Sequence, residues 1–245
     1  MMMQYSWPDT YNVVHNLARH MTHAMQVHYD TMLRMMKSVD DMSDRGLILN
    51  PTQKWNGNKE HEFVISGHRD SNYGKGAQMG KSISGYRVLL VGAPVIFKSS
   101  TQKSVALSVC EAEQTAGVLC AQDTLCVRHI LELMGLKVKL PMILEMDSNG
   151  TVDLANNWSI IGLTRHDGVP HCFLWELKES KVMDIHWIKG SENNADAFAK
   201  NLDGLAFEKC IMILVGQDVH MKSPTSEQGG CWEVSQGTQK SIQDF

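Results

Sequence analysis

The sequence predicts an α/β fold, a five-stranded mixed sheet flanked by helices, with a small helical subdomain at the N-terminal end. Three observations predict it. Between Glu60 and Leu107, short apolar runs separated by glycine clusters have the composition of strands. From Ser108 to about Met134 the apolar residues instead recur at helical spacing. Beyond that, single apolar runs alternate with helical stretches. The order of three strands, helix, strand, helices, strand, helix builds a mixed sheet with helices on its faces.

Length and composition agree with that architecture. The 245 residues, 43% of them hydrophobic, can bury one sizeable core with a small appended subdomain, and hardly two full domains. A net charge of -4 does not favour a nucleic-acid partner, whose phosphates attract Lys and Arg, so any such role must rest on local clusters. No apolar run approaches about 18 residues and the Met-rich start lacks an apolar core, so neither a membrane span nor a secretory signal is expected. An intracellular setting follows. Cys110, Cys120, Cys126, Cys172, Cys210 and Cys231 form no C-x-x-C pair, which favours reduced thiols over zinc or disulfides.

Residues 1–58 read as the N-terminal subdomain. Val14, Leu17, Ala18 and Met21 recur at helical spacing, as do Met25, Tyr29, Met32, Leu33 and Met36, and Pro8 suits a first helical position. Gly46 ends the second helix ahead of a short strand, Leu47-Ile48-Leu49, and Asn50 to Asn58 is a linker. Residues 59–216 form the second domain. Phe63 to Arg69 runs as a strand into Asp70, glycines 74, 76 and 80 break the chain, and Ile83 to Val91 returns. After the turn at Gly92-Ala93-Pro94, a third strand starts at Val95-Ile96-Phe97 and resumes near Val105-Ala106-Leu107. The long helix buries Ala112, Ala116, Leu119, Cys120, Val127, Ile130, Leu131 and Met134, and Gly135 stops it. Pro141 to Met146 is a strand ending at Asp147, and Ser148-Asn149-Gly150 opens a short helix. Another helix runs from about Asp167 to Lys178, Met183 to Ile188 is the fifth strand, and a last helix carries Asp196, Phe198 and Ala199. Residues 217–245, rich in Gly, Ser and Gln, read as a disordered tail.

Four acids, Asp70, Glu111, Asp147 and Asp196, each stand where a strand ends or a helix begins. Acids at such places can meet at one edge of a sheet, and crowded carboxylates are the oxygen-rich set that Mg²⁺ prefers. Each also has an ordinary explanation. Ser108-Val109-Cys110-Glu111 is a capping box, Asp147 can cap the helix after it, Asp70 can pair with Arg69 in a turn, and Asp196 suits a first helical turn. Only the set points to a metal. The glycines at 74, 76 and 80 miss the dinucleotide-binding spacing, and His15, His20, His23 and His28 lack the pattern of a zinc site. Met32, Met35 and Met36 are core-filling residues, and Lys81, Arg87, Lys98 and Lys103 offer a basic face whose default reading is a solvated surface.

Particular stretches resemble a known family, the ribonuclease H region of copia-type retrotransposon polyproteins, over nearly everything from Gln4 to about Val215. Gly67-His68-Arg69-Asp70-Ser71-Asn72-Tyr73 resembles its first-acid motif and Lys81-Ser82-Ile83-Ser84-Gly85-Tyr86 its following S-T-S-G-Y strand. Ser99 to Ser108, leading to Glu111-Ala112-Glu113, matches its K-Q-x-x-V-A-L-S-S-T-E-A-E stretch almost residue for residue. Met146-Asp147-Ser148-Asn149 resembles its D-N-Q/D-S motif, Thr164-Arg165-His166 its T-K-H, and Ala195-Asp196 to Lys200 its A-D-x-x-T-K. Gln4 to Asp9 looks like the segment that follows the polymerase palm.

The resemblance implies a ribonuclease H-like domain preceded by a remnant of the reverse transcriptase thumb or connection. It implies metal-dependent hydrolysis of the RNA strand of an RNA/DNA hybrid during reverse transcription. The implied cofactor is two Mg²⁺ (or Mn²⁺) ions, with Asp70 bridging both, Glu111 and Asp147 on one and Asp196 on the other. Substrate contacts are expected from Ser108, Asn149, His166 and Lys81. The implied partners are the hybrid and the rest of a polyprotein, in a virus-like particle or the nucleus, with no membrane. No Y-x-D-D motif is present, so no polymerase activity is expected of these residues. Several positions depart from the pattern: Asn72 replaces a second Asp, Gln114 an aromatic, and Asp167 to Cys172, with Pro170, the usual I-D-I-R-Y-H run. These departures motivate the competing expectation of an inactive relic that at most binds nucleic acid.

Overall fold

The structure is a computed structural model and describes residues 8–41, 47, 49–74, 80–156, 168–203, 205–207 and 209–210. Its centre is a five-stranded sheet of β2 (Ile65–Asn72), β3 (Ile83–Leu90), β4 (Ala93–Thr101), β6 (Met142–Met146) and β7 (Met183–Trp187), in the order β4-β3-β2-β6-β7. The pairs β2/β3 and β3/β4 are antiparallel, whereas β2/β6 and β6/β7 are parallel. The five-stranded mixed sheet expected from the sequence is therefore present. The first strand expected from Phe63 is split: β1 (Glu62–Phe63) leaves the large sheet and pairs in parallel with β5 (Lys137–Val138), a strand too brief to show a period in the sequence.

Helix α3 (Val109–Leu133) covers one face of the large sheet. Its side chain at Ser108 accepts a hydrogen bond from the Glu111 N–H, which starts the helix, and Gly135, with φ of 75°, follows its end. Ala112, Ala116, Cys120 and Ala121 are fully buried, and these small residues let the helix lie close to the strands. Helices α4 (Asn149–Asn156) and α5 (Gly168–Glu179) complete this layer, and Val152, Ala155 and Leu174 join Tyr86, Val88, Leu144 and Met146 in one core. Pro170 falls in the first turn of α5, where its missing N–H costs no helical bond.

The opposite face is covered by the short helix α6 (Asp196–Ala199) and by α1 (Tyr11–Ala18). Phe198 stacks on Phe97 with ring centroids 6.0 Å apart, and Tyr11 meets Phe97 edge-on at 6.5 Å. Half-buried His15 anchors α1 to β4. The Thr101 N–H donates to its Nε2 at 3.2 Å, so Nδ1 carries the proton and faces Ser99 Oγ at 3.0 Å.

Several sequence expectations need correction. Leu47 and Leu49 lie outside any strand, and Leu47 instead packs against the Phe97–Phe198 pair. The third strand does not resume near Val105; it is continuous over Ala93–Thr101. Helix α2 (Gln26–Asp41) forms, yet the stripe Met25, Tyr29, Met32, Leu33 and Met36 is exposed, and the helix buries His28, Thr31 and Met35. His20 stacks on His28 at 4.1 Å, which turns that polar face inward. Met21 is likewise 79% exposed, as α1 buries Asn12 and Val13. The tail beyond residue 216 and His166 lie outside the described residues. No helix among the described residues is long and apolar enough to cross a membrane.

Candidate metal centre

Sheet register alone brings two of the four acids together. Parallel strands β2 and β6 pair Ser66 with Ile143 and His68 with Glu145, and continuing that register sets Asp70 beside Asp147, just past the end of β6. The Trp187 indole N–H, from the neighbouring strand, donates to the Asp147 carbonyl at 3.1 Å and fixes the backbone there. Asp196 arrives from the other face, as the first residue of α6.

Glu111 does not join them. Its carboxylate accepts a hydrogen bond from the Leu107 N–H at 2.6 Å, while its own N–H donates to Ser108 Oγ at 3.0 Å, closing the capping box. Residues two apart on a helix point about 200° from each other, so the cap and the sheet cannot both be served by one acid. Glu113 takes the inward place. It is 5% exposed, and one carboxylate oxygen from each of Asp70, Glu113 and Asp147 lies within 4.8 Å of the others. The signal that could have found Glu113 is its helical phase, four residues before Gly117 and seven before Cys120, both buried against the sheet.

Two cations share the cluster. Arg69, fully buried on the α3 side of β2, ion-pairs Glu113. Lys200 Nζ lies 2.9 Å from Asp70 Oδ1 and 3.2 Å from Asp196 Oδ1, one ammonium joining two carboxylates. Burial, and then the charge of Asp196, push the Asp70 carboxyl up to about 7 despite Lys200. Burial raises Asp196 as well. For Lys200, burial pulls downward, but Asp70 and Asp196 outweigh it and the net direction is up. Arg69 falls to about 10 through burial, opposed by Asp147 and Asp70, and so stays charged at neutral pH.

Three residues hold this arrangement in place. Asn193, 3% exposed, donates from Nδ2 to the Arg69 carbonyl at 2.9 Å and accepts from the Ala195 N–H, tying the approach to α6 onto β2. Gly85, opposite Asp70 in the β2/β3 ladder, admits α6: a Cβ there would stand 2.5 Å from the Ala199 nitrogen. Gln102 donates to Ser84 Oγ at 2.9 Å and to the Ala112 carbonyl at 2.8 Å, which binds the end of β4 to the first turns of α3.

The donor set fits a hard divalent ion. It offers only oxygens, and Asp70 Oδ1 and Oδ2, Glu113 Oε2 and Asp147 Oδ1 are buried and, apart from the ion pairs above, without hydrogen-bond partners among the described residues. The expected substrate contacts stand apart from it in the following ways. Ser108 uses its oxygen in the helix cap, Asn149 is exposed at the first position of α4, and Lys81 is half-buried. Arg87 is only 2% exposed and so supplies no basic face.

No protein-family profile matches the chain. Among curated proteins, it is 27% identical over 147 residues to the retrovirus-related Pol polyprotein from transposon TNT 1-94 of Nicotiana tabacum, covering 60% of this chain and 11% of that protein. It is 20% identical over 206 residues to the retrovirus-related Pol polyprotein from transposon RE2 of Arabidopsis thaliana, covering 84% and 14%. The chain thus spans about a seventh or less of the length of these relatives, and they agree with the copia-type resemblance. Among solved structures, the N-terminal RNase H domain of Rv2228c from Mycobacterium tuberculosis aligns at 14% identity and a TM-score of 0.41, covering 62% of this chain and 98% of that one. RNase H1 from Halobacterium salinarum aligns at 12% and 0.38, covering 56% and 94%.

Proposed function

We propose that this chain, a relative of the retrovirus-related Pol polyproteins of plant transposons, is the ribonuclease H portion of such a protein and hydrolyses the RNA strand of RNA/DNA hybrids formed during reverse transcription. The observation that carries the reading is the convergence of Asp70, Glu113 and Asp147 within 4.8 Å, with Asp196 joined to Asp70 through Lys200. These four carboxylates would hold the divalent ions, Mg²⁺ or Mn²⁺, with Glu113 in the part the sequence suggested for Glu111. Two such ions, when bound, lower the pKa of an attacking water and stabilise charge on the leaving oxygen.

The chain's own residues supply placement. Asp70 is central because β2 and β6 set it beside Asp147, while α3 and α6 approach from opposite faces. Asn193 and Gly85 keep Asp196 within reach of it. Asn149, Lys81 and His166 are the candidates for contacts to the sugar-phosphate chain, where a 2′-hydroxyl distinguishes RNA from DNA. The remaining polyprotein, with its reverse transcriptase, is the proposed partner.

A labelled hybrid incubated with the chain and Mg²⁺ or Mn²⁺ tests the reading. The wild-type chain should cut the RNA strand and Asp70→Asn should not; equal background from both proteins under both metals would overturn it. One observation favours the competing reading, a chain that binds the hybrid without cutting it: Glu113 is already engaged by Arg69. Retained hybrid binding with no cleavage by the wild type is its signature.

A further inference from the structure

Four acids here face two resident cations, and the cations touch the oxygens that a metal would need. Arg69 precedes Asp70 in β2, so it points to the opposite side of the sheet, toward α3. There its Nε lies 3.7 Å from where a Cβ of Gly117 would stand, within contact distance of α3. Its guanidinium is 0% exposed and pairs with Glu113. Such a group persists inside a fold only beside compensating charge. Lys200, one helical turn after Asp196, does the same from the other side, with Asp70 Oδ1 and Asp196 Oδ1 both within 3.2 Å of its nitrogen.

We propose that Arg69 and Lys200 are built-in competitors of the divalent ion: each occupies carboxylate oxygens of the cluster, and metal enters only as these ion pairs open. The proposal rests on the metal-site reading above. An ammonium or guanidinium at hydrogen-bond distance from a carboxylate repels a dication brought to the same oxygen, and low-dielectric surroundings strengthen that repulsion. The two cations also leave the acids partly neutralised in the metal-free chain, so the site survives folding without a bound ion.

Calorimetric titration of the full chain with Mn²⁺ tests this directly, without reference to cleavage. Arg69→Met keeps most of the volume but not the charge, and Lys200→Met removes the charge of a side chain that is 36% exposed. Both should bind Mn²⁺ at least about tenfold more tightly than wild type, while Arg69→Lys stays near it. If wild type binds Mn²⁺ and neither methionine variant binds more tightly, the competition is refuted and the metal site stands. If none of the proteins binds at millimolar Mn²⁺, both readings fall. Should Arg69→Met not fold, Lys200→Met decides alone.

Discussion

At the scale of single residues, Glu111 and Glu113 divide two tasks that one sequence motif presents together. Glu111→Gln should weaken only the helix cap, by about 0.5–1 kcal/mol in urea unfolding, and leave hybrid cleavage in place. Glu113→Gln should abolish cleavage; a reversed pattern would return Glu111 to the site. Asp70 makes a separate prediction through its titration. In the folded, metal-free chain its carboxyl keeps its proton up to about pH 7, whereas unfolded it ionises near pH 4, so the native state binds more protons in that window. Stability in EDTA should therefore fall as pH rises from about 4 to about 7. Asp70→Asn lacks this slope, and its stability relative to wild type should improve by about 1–3 kcal/mol between pH 4.5 and pH 8. Urea midpoints at both pH values measure it, and an unchanged difference would refute the raised carboxyl. Asp70, Asp147 and Asp196 were legible in the sequence because strand ends and helix starts are. The choice between Glu111 and Glu113 was not, because the capping signal and the inward phase of the helix overlap within three residues.

At the scale of elements, the site depends on how closely α6 lies on the sheet. Gly85→Ala would set a methyl group against the Phe198–Ala199 backbone, which cannot yield as a side chain would. It should cost about 1–3 kcal/mol and weaken cleavage by displacing Asp196 and Lys200 together; thermal melts with a cleavage assay read both effects. Unchanged melting would show that α6 has room to move. The strands of the large sheet were legible from their apolar runs. The faces of α1 and α2 were not, for a physical reason: amphipathic phase shows which side of a helix is apolar, not whether a partner meets it. In α2 His28, stacked on His20, occupies the packed side with Thr31 and Met35, while Tyr29, Met32, Leu33 and Met36 face outward. Gln102 is the converse case, a polar residue of a recognisable motif whose task, joining β4 to α3, only the folded chain reveals.

At the scale of the whole molecule, α1 belongs mechanically to the sheet. His15 joins Ser99 and Thr101, and Asn12 donates to the Lys200 carbonyl at 2.8 Å. Amide hydrogen exchange should show α1 opening with β4, whereas α2, largely exposed, should exchange earlier; His15→Ala should release α1 to exchange at the α2 rate. Equal protection of α1 before and after that substitution would refute the anchor. The strand order also has a consequence for synthesis on the ribosome. The antiparallel β2–β3–β4 ribbon is complete once residue 101 has emerged, but the second edge of β2 pairs only with β6, which begins at Met142. Until α3 has been made and β6 has docked, that edge offers its backbone to any other strand nearby. The central strand, which carries Asp70, is thus the most vulnerable part of the nascent chain, and productive assembly is a race between elongation and misplaced pairing.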